Sequence, residues 1–235
     1  RQANFVDSVT HELKSPIAAL QLYLETLRMR NLSEEKRAEF HKVMENELQR
    51  LDRLISQLLE VGRLDAIGEN EEPRDVRIDS LIRQFQENVC IQWNLPLEET
   101  FESDLPPTVV RAPKILLDLI FSNLIENAVK YAGSPPQIFV RIKEVSNNRI
   151  QIQITNNGAG VPREERKKIF QIFYRGGSEL ERRRKGTGLG LYIVHTLVRK
   201  LRGRVSVHDR EDGKPGCTFH IDLPGFRDHS QTQTS

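Results

Sequence analysis

Two long apolar stripes in the first 64 residues constrain this chain more than any other feature. Phe5, Val9, Leu13, Ile17, Leu20, Leu24 and Leu27 recur three or four positions apart, the spacing of one face of an α-helix. Asn31 and Ser33 interrupt that pattern. Ser33 is a candidate N-cap, with Glu34 and Glu35 following where a helix N-terminus favours negative charge. A second stripe then runs through Phe40, Val43, Leu48, Leu51, Leu54, Ile55, Leu58 and Leu59. Two amphipathic helices joined by a short turn make an antiparallel hairpin. One hairpin buries two such stripes poorly, whereas two hairpins forming a four-helix bundle bury both, so the sequence predicts a homodimer. The competing arrangement lays one hairpin on the rest of the chain.

The remaining sequence reads differently. At 235 residues the chain exceeds what one ordinary core usually fills. The polar stretch AIGENEEPRDV, 66–76, is expected to be a linker. Beyond it Ile78 to Cys90 looks helical, 91–112 suggests strands around Pro106-Pro107, and Lys114 to Tyr131 is a strong helix. Ile138–Lys143 and Ile150–Thr155 alternate as strands about an Asn147-Asn148 turn. Gly188 to Arg202 is a helix, and Val205–Val207 with Thr218–Leu223 make a last strand pair. The fold class is therefore α+β. A helical hairpin at 1–66 and a linker at 67–76 precede an α/β sandwich at 77–225, with helices layered on one sheet and a frayed polar tail at 226–235.

Composition excludes several classes. Lysine and arginine total 35 against 33 acidic residues, a net charge of +2, so nothing favours a nucleic-acid partner or a membrane surface. Cys90 and Cys217 lie far apart with no metal-ligand spacing, which fits a reducing, cytoplasmic setting. No run of about eighteen apolar residues occurs. The chain opens mid-pattern at Arg1, without Met or a signal peptide, and reads as a fragment, with any membrane segment expected upstream.

Four stretches carry chemistry. The first is HELKSP, 11–16. It begins like the zinc-protease helix H-E-x-x-H, but Ser15 stands where the second histidine would be, which excludes that metal site. An isolated His-Glu pair is most often plain surface. Here His11 falls between the stripe positions Val9 and Leu13, at the solvent edge. Glu12 beside it can accept a proton, and Pro16 bends the helix just beyond. A histidine largely neutral near pH 7 can act as a nucleophile.

The second stretch, LIFSNLIENAVKYAG, puts Asn123 and Asn127 at i and i+4 on one helix face, with Lys130 and Tyr131 a turn on. Such a pair is either a core hydrogen-bond device or a set of oxygen ligands for Mg²⁺ with a lysine for phosphate. The third, ITNNGAGVP, ends a strand in a turn containing Gly158 and Gly160. The fourth, KGTGLGLYIV, opens a helix through Gly186, Thr187, Gly188, Leu189 and Gly190. Glycines let backbone approach phosphate closely, and helix N-termini attract anions. Neither glycine run is a Walker A loop or G-x-G-x-x-G.

In this order and spacing the stretches resemble a sensor histidine kinase of a two-component system. HELKSP resembles its H-box, ENAVKY its N-box, NNGAGVP and GTGLGL its two glycine boxes, and IFQIFYRG its F-box. The likeness covers about residues 1–224. The second half alone is also similar to the topoisomerase, mismatch-repair and heat-shock ATPases, from which the hairpin separates it. The resemblance implies that His11 accepts the γ-phosphoryl group of ATP, that Glu12 takes up the ring proton, and that a response-regulator receiver domain is phosphorylated next. Ser15 matches a position that orients water for dephosphorylation. Asn127 with Asn123 would hold Mg²⁺, Lys130 and Arg175 would meet phosphates, and Tyr131 would pack near the nucleotide. A mobile lid would span about Val161 to Lys185, its run Arg182–Lys185 drawing in ATP.

The chain departs from the family in one place. The first glycine box reads D-x-G-x-G in the family, and Asn156 stands at its aspartate. That aspartate accepts a hydrogen bond from the adenine amino group. Asparagine keeps the shape and offers a carbonyl oxygen to accept the same bond, provided the amide points that way. Losing the charge costs on the order of 1–2 kcal/mol, roughly tenfold in affinity. The rival to an active kinase is a non-catalytic scaffold of the same fold that works through dimer and partner contacts. A third reading is an ATPase that never forms a phosphohistidine.

Overall fold

The computed structural model describes residues 2–29, 32–63, 67–69, 71–146, 148–172, 174 and 188–228. Within the two long helices, the side chains of 2–9, 11, 12, 29, 50, 53, 54 and 56–63 lie outside the description.

Helix α1 spans Gln2–Met29 and α2 spans Glu34–Arg63. The break between them falls where the polar pair interrupts the stripe. Ser33 begins α2: its carbonyl accepts the Arg37 N–H at 3.0 Å and its Oγ faces the Lys36 N–H at 3.4 Å. Across the hairpin the Tyr23 and Phe40 rings meet edge to face, 5.0 Å between centroids. Much of the apolar stripe stays uncovered. Ile17, Leu24, Leu48 and Ile55 are 42–54% exposed.

The second part is built on a five-stranded sheet. Its strands are β2 (Phe101–Asp104), β4 (Ile138–Ser146), β5 (Arg149–Asn156), β6 (Arg204–Asp209) and β7 (Cys217–Pro224), in the order β2-β4-β5-β7-β6. Only β2 and β4 pair in parallel. Alternation decides the faces: Ile150, Ile152 and Ile154 of β5 are at most 1% exposed, while Gln151 and Gln153 hydrogen-bond each other on the opposite side. Against the apolar face lie helices α3 (Ile78–Trp93), α5 (Lys114–Lys130) and α6 (Gly190–Lys200). Helix α5 is the central layer, and Leu116, Leu117, Ile120, Phe121, Leu124, Ile125 and Ala128 are all buried.

A smaller antiparallel sheet closes one edge, in the order β1 (Arg74–Arg77), β3 (Thr108–Ala112), β8 (Phe226–Arg227). It corrects two sequence expectations. The linker over 67–76 ends in a strand, because Val76 pairs with Val110 and enters the core. The tail over 226–235 starts with a strand, because Phe226 pairs with Val109. Both strands depend on β3, a distant partner no local pattern announces. Helix α3 also runs past Cys90 to Trp93 and stops at Asn94 in the left-handed region. A short helix, α4 (Leu97–Thr100), takes part of the segment expected to be strands. Helix α6 begins at Gly190, two residues later than expected, since Gly188 has φ +73°.

Asp79 in the first turn of α3 ties this edge together. Its carboxylate takes two bonds from Arg77, at 3.0 and 2.9 Å, and one from the Thr108 N–H at 3.1 Å. Burial alone raises the Asp79 carboxyl. The Arg77 guanidinium and the Thr108 amide outweigh it and hold the group below the usual carboxylate range. Leu13 of the hairpin packs against the core of the sandwich, and Lys200 Nζ donates to the carbonyl of Ile67 in the connecting segment at 2.9 Å. No helix among the described residues is long and apolar enough to cross a membrane.

Candidate functional site

The C-terminal end of α5 gathers the second, third and fourth stretches. Asn123 and Asn127 share the face that meets the start of α6. A Cβ added at Gly190 would lie 2.6 Å from Asn123 Oδ1 and 3.5 Å from Asn127 Nδ2. A larger residue there would have to push the Asn123 amide aside. Asn123 Nδ2 donates to the Leu119 carbonyl at 2.8 Å, leaving Oδ1 against Gly190. The Asn127 side chain is half-buried and makes no hydrogen bond among the described residues. Leu189 is 2% exposed and anchors the entry to α6.

One turn on, the Lys130 ammonium sits 5.1 Å from the centroid of the exposed Tyr131 ring. The Tyr131 backbone receives the first glycine turn. A Cβ at Gly158 would lie 1.9 Å from the Tyr131 carbonyl oxygen, an impossible contact for any other residue. Gly160 has φ +83° and sits over the Gly216 carbonyl.

Asn156 ends the central strand β5 and is 3% exposed. Its backbone pairs with Ile138 on one side and Cys217 on the other. Its Oδ1 accepts from the Gly158 N–H at 3.2 Å and faces the Cys217 Sγ at 3.8 Å. Burial pushes the Cys217 thiol up to about 11, so it stays protonated and donates. Asn156 Nδ2 donates to no protein atom among the described residues. The carbonyl oxygen, offered to a base on the sequence alone, here accepts from the Gly158 N–H and faces the Cys217 thiol.

Sequence reasoning missed three contributors. Asn157 accepts from the Gly133 and Gln137 N–H groups at 2.9 and 3.0 Å and donates to the Pro135 carbonyl at 2.8 Å, fixing the loop after α5. Gly216 has φ +129°, and a Cβ there would lie 2.0 Å from the Asn156 carbonyl. Cys217 reaches Asn156 only through strand register. The adjacent Asn-Asn and Gly-Cys pairs were the available signals, and neither is specific.

The first stretch lies apart from these. His11, Glu12 and Ser15 fall on α1, where Ser15 is exposed and Pro16 buried. The His11 and Glu12 side chains, Arg175, Gly186, Thr187 and the run Arg182–Lys185 lie outside the described residues.

Comparison with known proteins gives the chain a family. Residues 1–67 match the His Kinase A (phospho-acceptor) domain, and residues 113–226 match the histidine kinase-, DNA gyrase B- and HSP90-like ATPase domain. Over 235 aligned residues the chain is 30% identical to the signal transduction histidine-protein kinase/phosphatase MprB of Mycolicibacterium smegmatis, covering 97% of this chain and 46% of MprB. It is also 30% identical over 225 residues to the sensor protein kinase WalK of Staphylococcus aureus, covering 94% of this chain and 53% of WalK. In fold it is similar to the histidine kinase ThkA, solved in complex with the response regulator TrrA. That match has a TM-score of 0.63 at 21% identity and covers 94% of this chain and 61% of that one. The chain belongs to the sensor histidine kinases of two-component systems. It spans about half the length of the curated relatives it matches.

Proposed function

We propose that this chain is the catalytic core of a sensor histidine kinase, which phosphorylates itself on His11 and passes the phosphoryl group to an aspartate of a receiver domain. The observation that carries this reading is the convergence on one end of α5: Asn127 beside Gly190, and Tyr131 against Gly158. That sets closely approaching glycine backbone beside an amide that could ligate a metal and near a lysine, the parts that phosphoryl transfer asks for.

The residues present fit Mg²⁺. Asn127 keeps an uncommitted amide oxygen, and Asn123 stands one turn away. Bound there, the ion would offset charge on the phosphates. Lys130 and Arg175 add positive charge, and the glycines from Gly186 to Gly190 bring N–H groups to the phosphates. At His11 a ring nitrogen attacks the γ-phosphorus, the bond from γ-phosphorus to bridging oxygen breaks, and ADP leaves. Glu12 takes the proton from the other ring nitrogen. Ser15, exposed one turn along α1, is placed to orient water when the regulator is dephosphorylated, in keeping with the kinase/phosphatase name of MprB.

We assign 1–66 to dimerisation and phosphotransfer and 77–225 to catalysis. Support for the dimer comes from the uncovered stripe and the match to the phospho-acceptor domain. Support for a response-regulator partner comes from the ThkA–TrrA complex. The test is His11→Ala with labelled nucleotide: acid-labile labelling disappears and transfer to a receiver domain stops. Labelling that persists in the variant would sink the proposal. Nucleotide hydrolysis without any labelling of the unmodified chain would leave a plain ATPase.

A further inference from the structure

Asn156 stands where the family that the chain resembles meets the base of its nucleotide. An amide has one acceptor oxygen and one donor nitrogen, and its surroundings choose the way it points. The Gly158 N–H lies 3.2 Å from Oδ1 and the protonated Cys217 thiol lies 3.8 Å from it. Both are donors. Turning the amide over would set its NH₂ against the Gly158 N–H, so the oxygen stays with them and its two lone pairs are used. Gly158 cannot yield, because its backbone is pressed against the Tyr131 carbonyl. Nor can the backbone of Asn156, locked between Ile138 and Cys217 and roofed by Gly216.

What remains is Nδ2. The residue is 3% exposed, and this nitrogen donates to nothing in the described protein. An amide NH₂ with no protein acceptor is left to pair with an acceptor on whatever stands beside it. The 6-amino group of adenine is itself a donor and would meet a donor here. A 6-oxo group is an acceptor and pairs with it.

We propose that Asn156 makes the site prefer a 6-oxopurine nucleoside triphosphate, with guanine or hypoxanthine as base, over ATP. This rests on the nucleotide-site reading above and sharpens its substrate class. A carboxylate at the same position would keep one oxygen on Gly158 and Cys217 and offer the other as an acceptor, restoring adenine.

Calorimetric titration with Mg²⁺ and ATP, GTP or ITP tests it. In the unmodified chain GTP and ITP bind about tenfold or more tighter than ATP. They move together, because O6 is what they share. In Asn156→Asp the order inverts. ATP binding as tightly as ITP and GTP in the unmodified chain would overturn the proposal even if the variant did not fold, and so would an unchanged order in a folded Asn156→Asp. Absence of binding by all three nucleotides in both chains would instead bring down the nucleotide-site reading, and the base preference with it.

Discussion

Gly158 is the residue with the least freedom in the site. Its position under the Tyr131 carbonyl leaves no room for a methyl group. Gly158→Ala must push the glycine turn off α5, with a cost of about 2–3 kcal/mol in urea denaturation and loss of nucleotide binding. Unchanged stability and affinity would show that the turn is not held as described. The residue type was readable from sequence, but the reason for it was not. A glycine in N-N-G-A-G suggests approach to phosphate, whereas the structure finds it pressed by backbone. The same holds for Asn156. Its departure from the family pattern was plain in the chain, but the direction of its amide depends on Cys217, 61 residues away. Register across β5 and β7 sets that contact, and register is a tertiary property.

Among elements, those with strong internal periodicity were legible. Helix α5 starts and ends within a residue of its expected bounds, and β4 and β5 alternate as read. The short strands β1 and β8 were not, because each exists only by pairing with β3. Asp79 holds the turn between β1 and α3 and reaches β3 through Thr108. Its folded pKa lies below the unfolded value, so its contribution is fully present above about pH 4 and fades as pH falls through the lower folded value. Asp79→Asn removes the ion pair with Arg77 and should cost about 2 kcal/mol at pH 7. The gap between variant and unmodified chain should narrow on acidification. A gap independent of pH between 7 and 3 would contradict this account of the edge sheet.

At the scale of the molecule, the stripe that opened the sequence reading is only partly spent within one chain. Ile17 and Leu24 remain 42% and 48% exposed on α1, and Leu48 54% on α2. A second copy covering them would make the bundle and would bring two copies of His11 into one assembly. Sedimentation of the chain should give a dimer, and Leu24→Glu should shift it to monomer while leaving the sandwich folded. A monomer at micromolar concentration would contradict the bundle. The central claim is that His11 carries the phosphoryl group, and peptide mapping tests it most directly. The chain is incubated with Mg²⁺ and γ-labelled ATP or GTP, digested with trypsin at alkaline pH, and the label located. The account predicts acid-labile phosphate on the peptide ending at Lys14, which contains His11, and none in His11→Gln. Phosphate on any other peptide, or an unlabelled chain with either nucleotide, would contradict it.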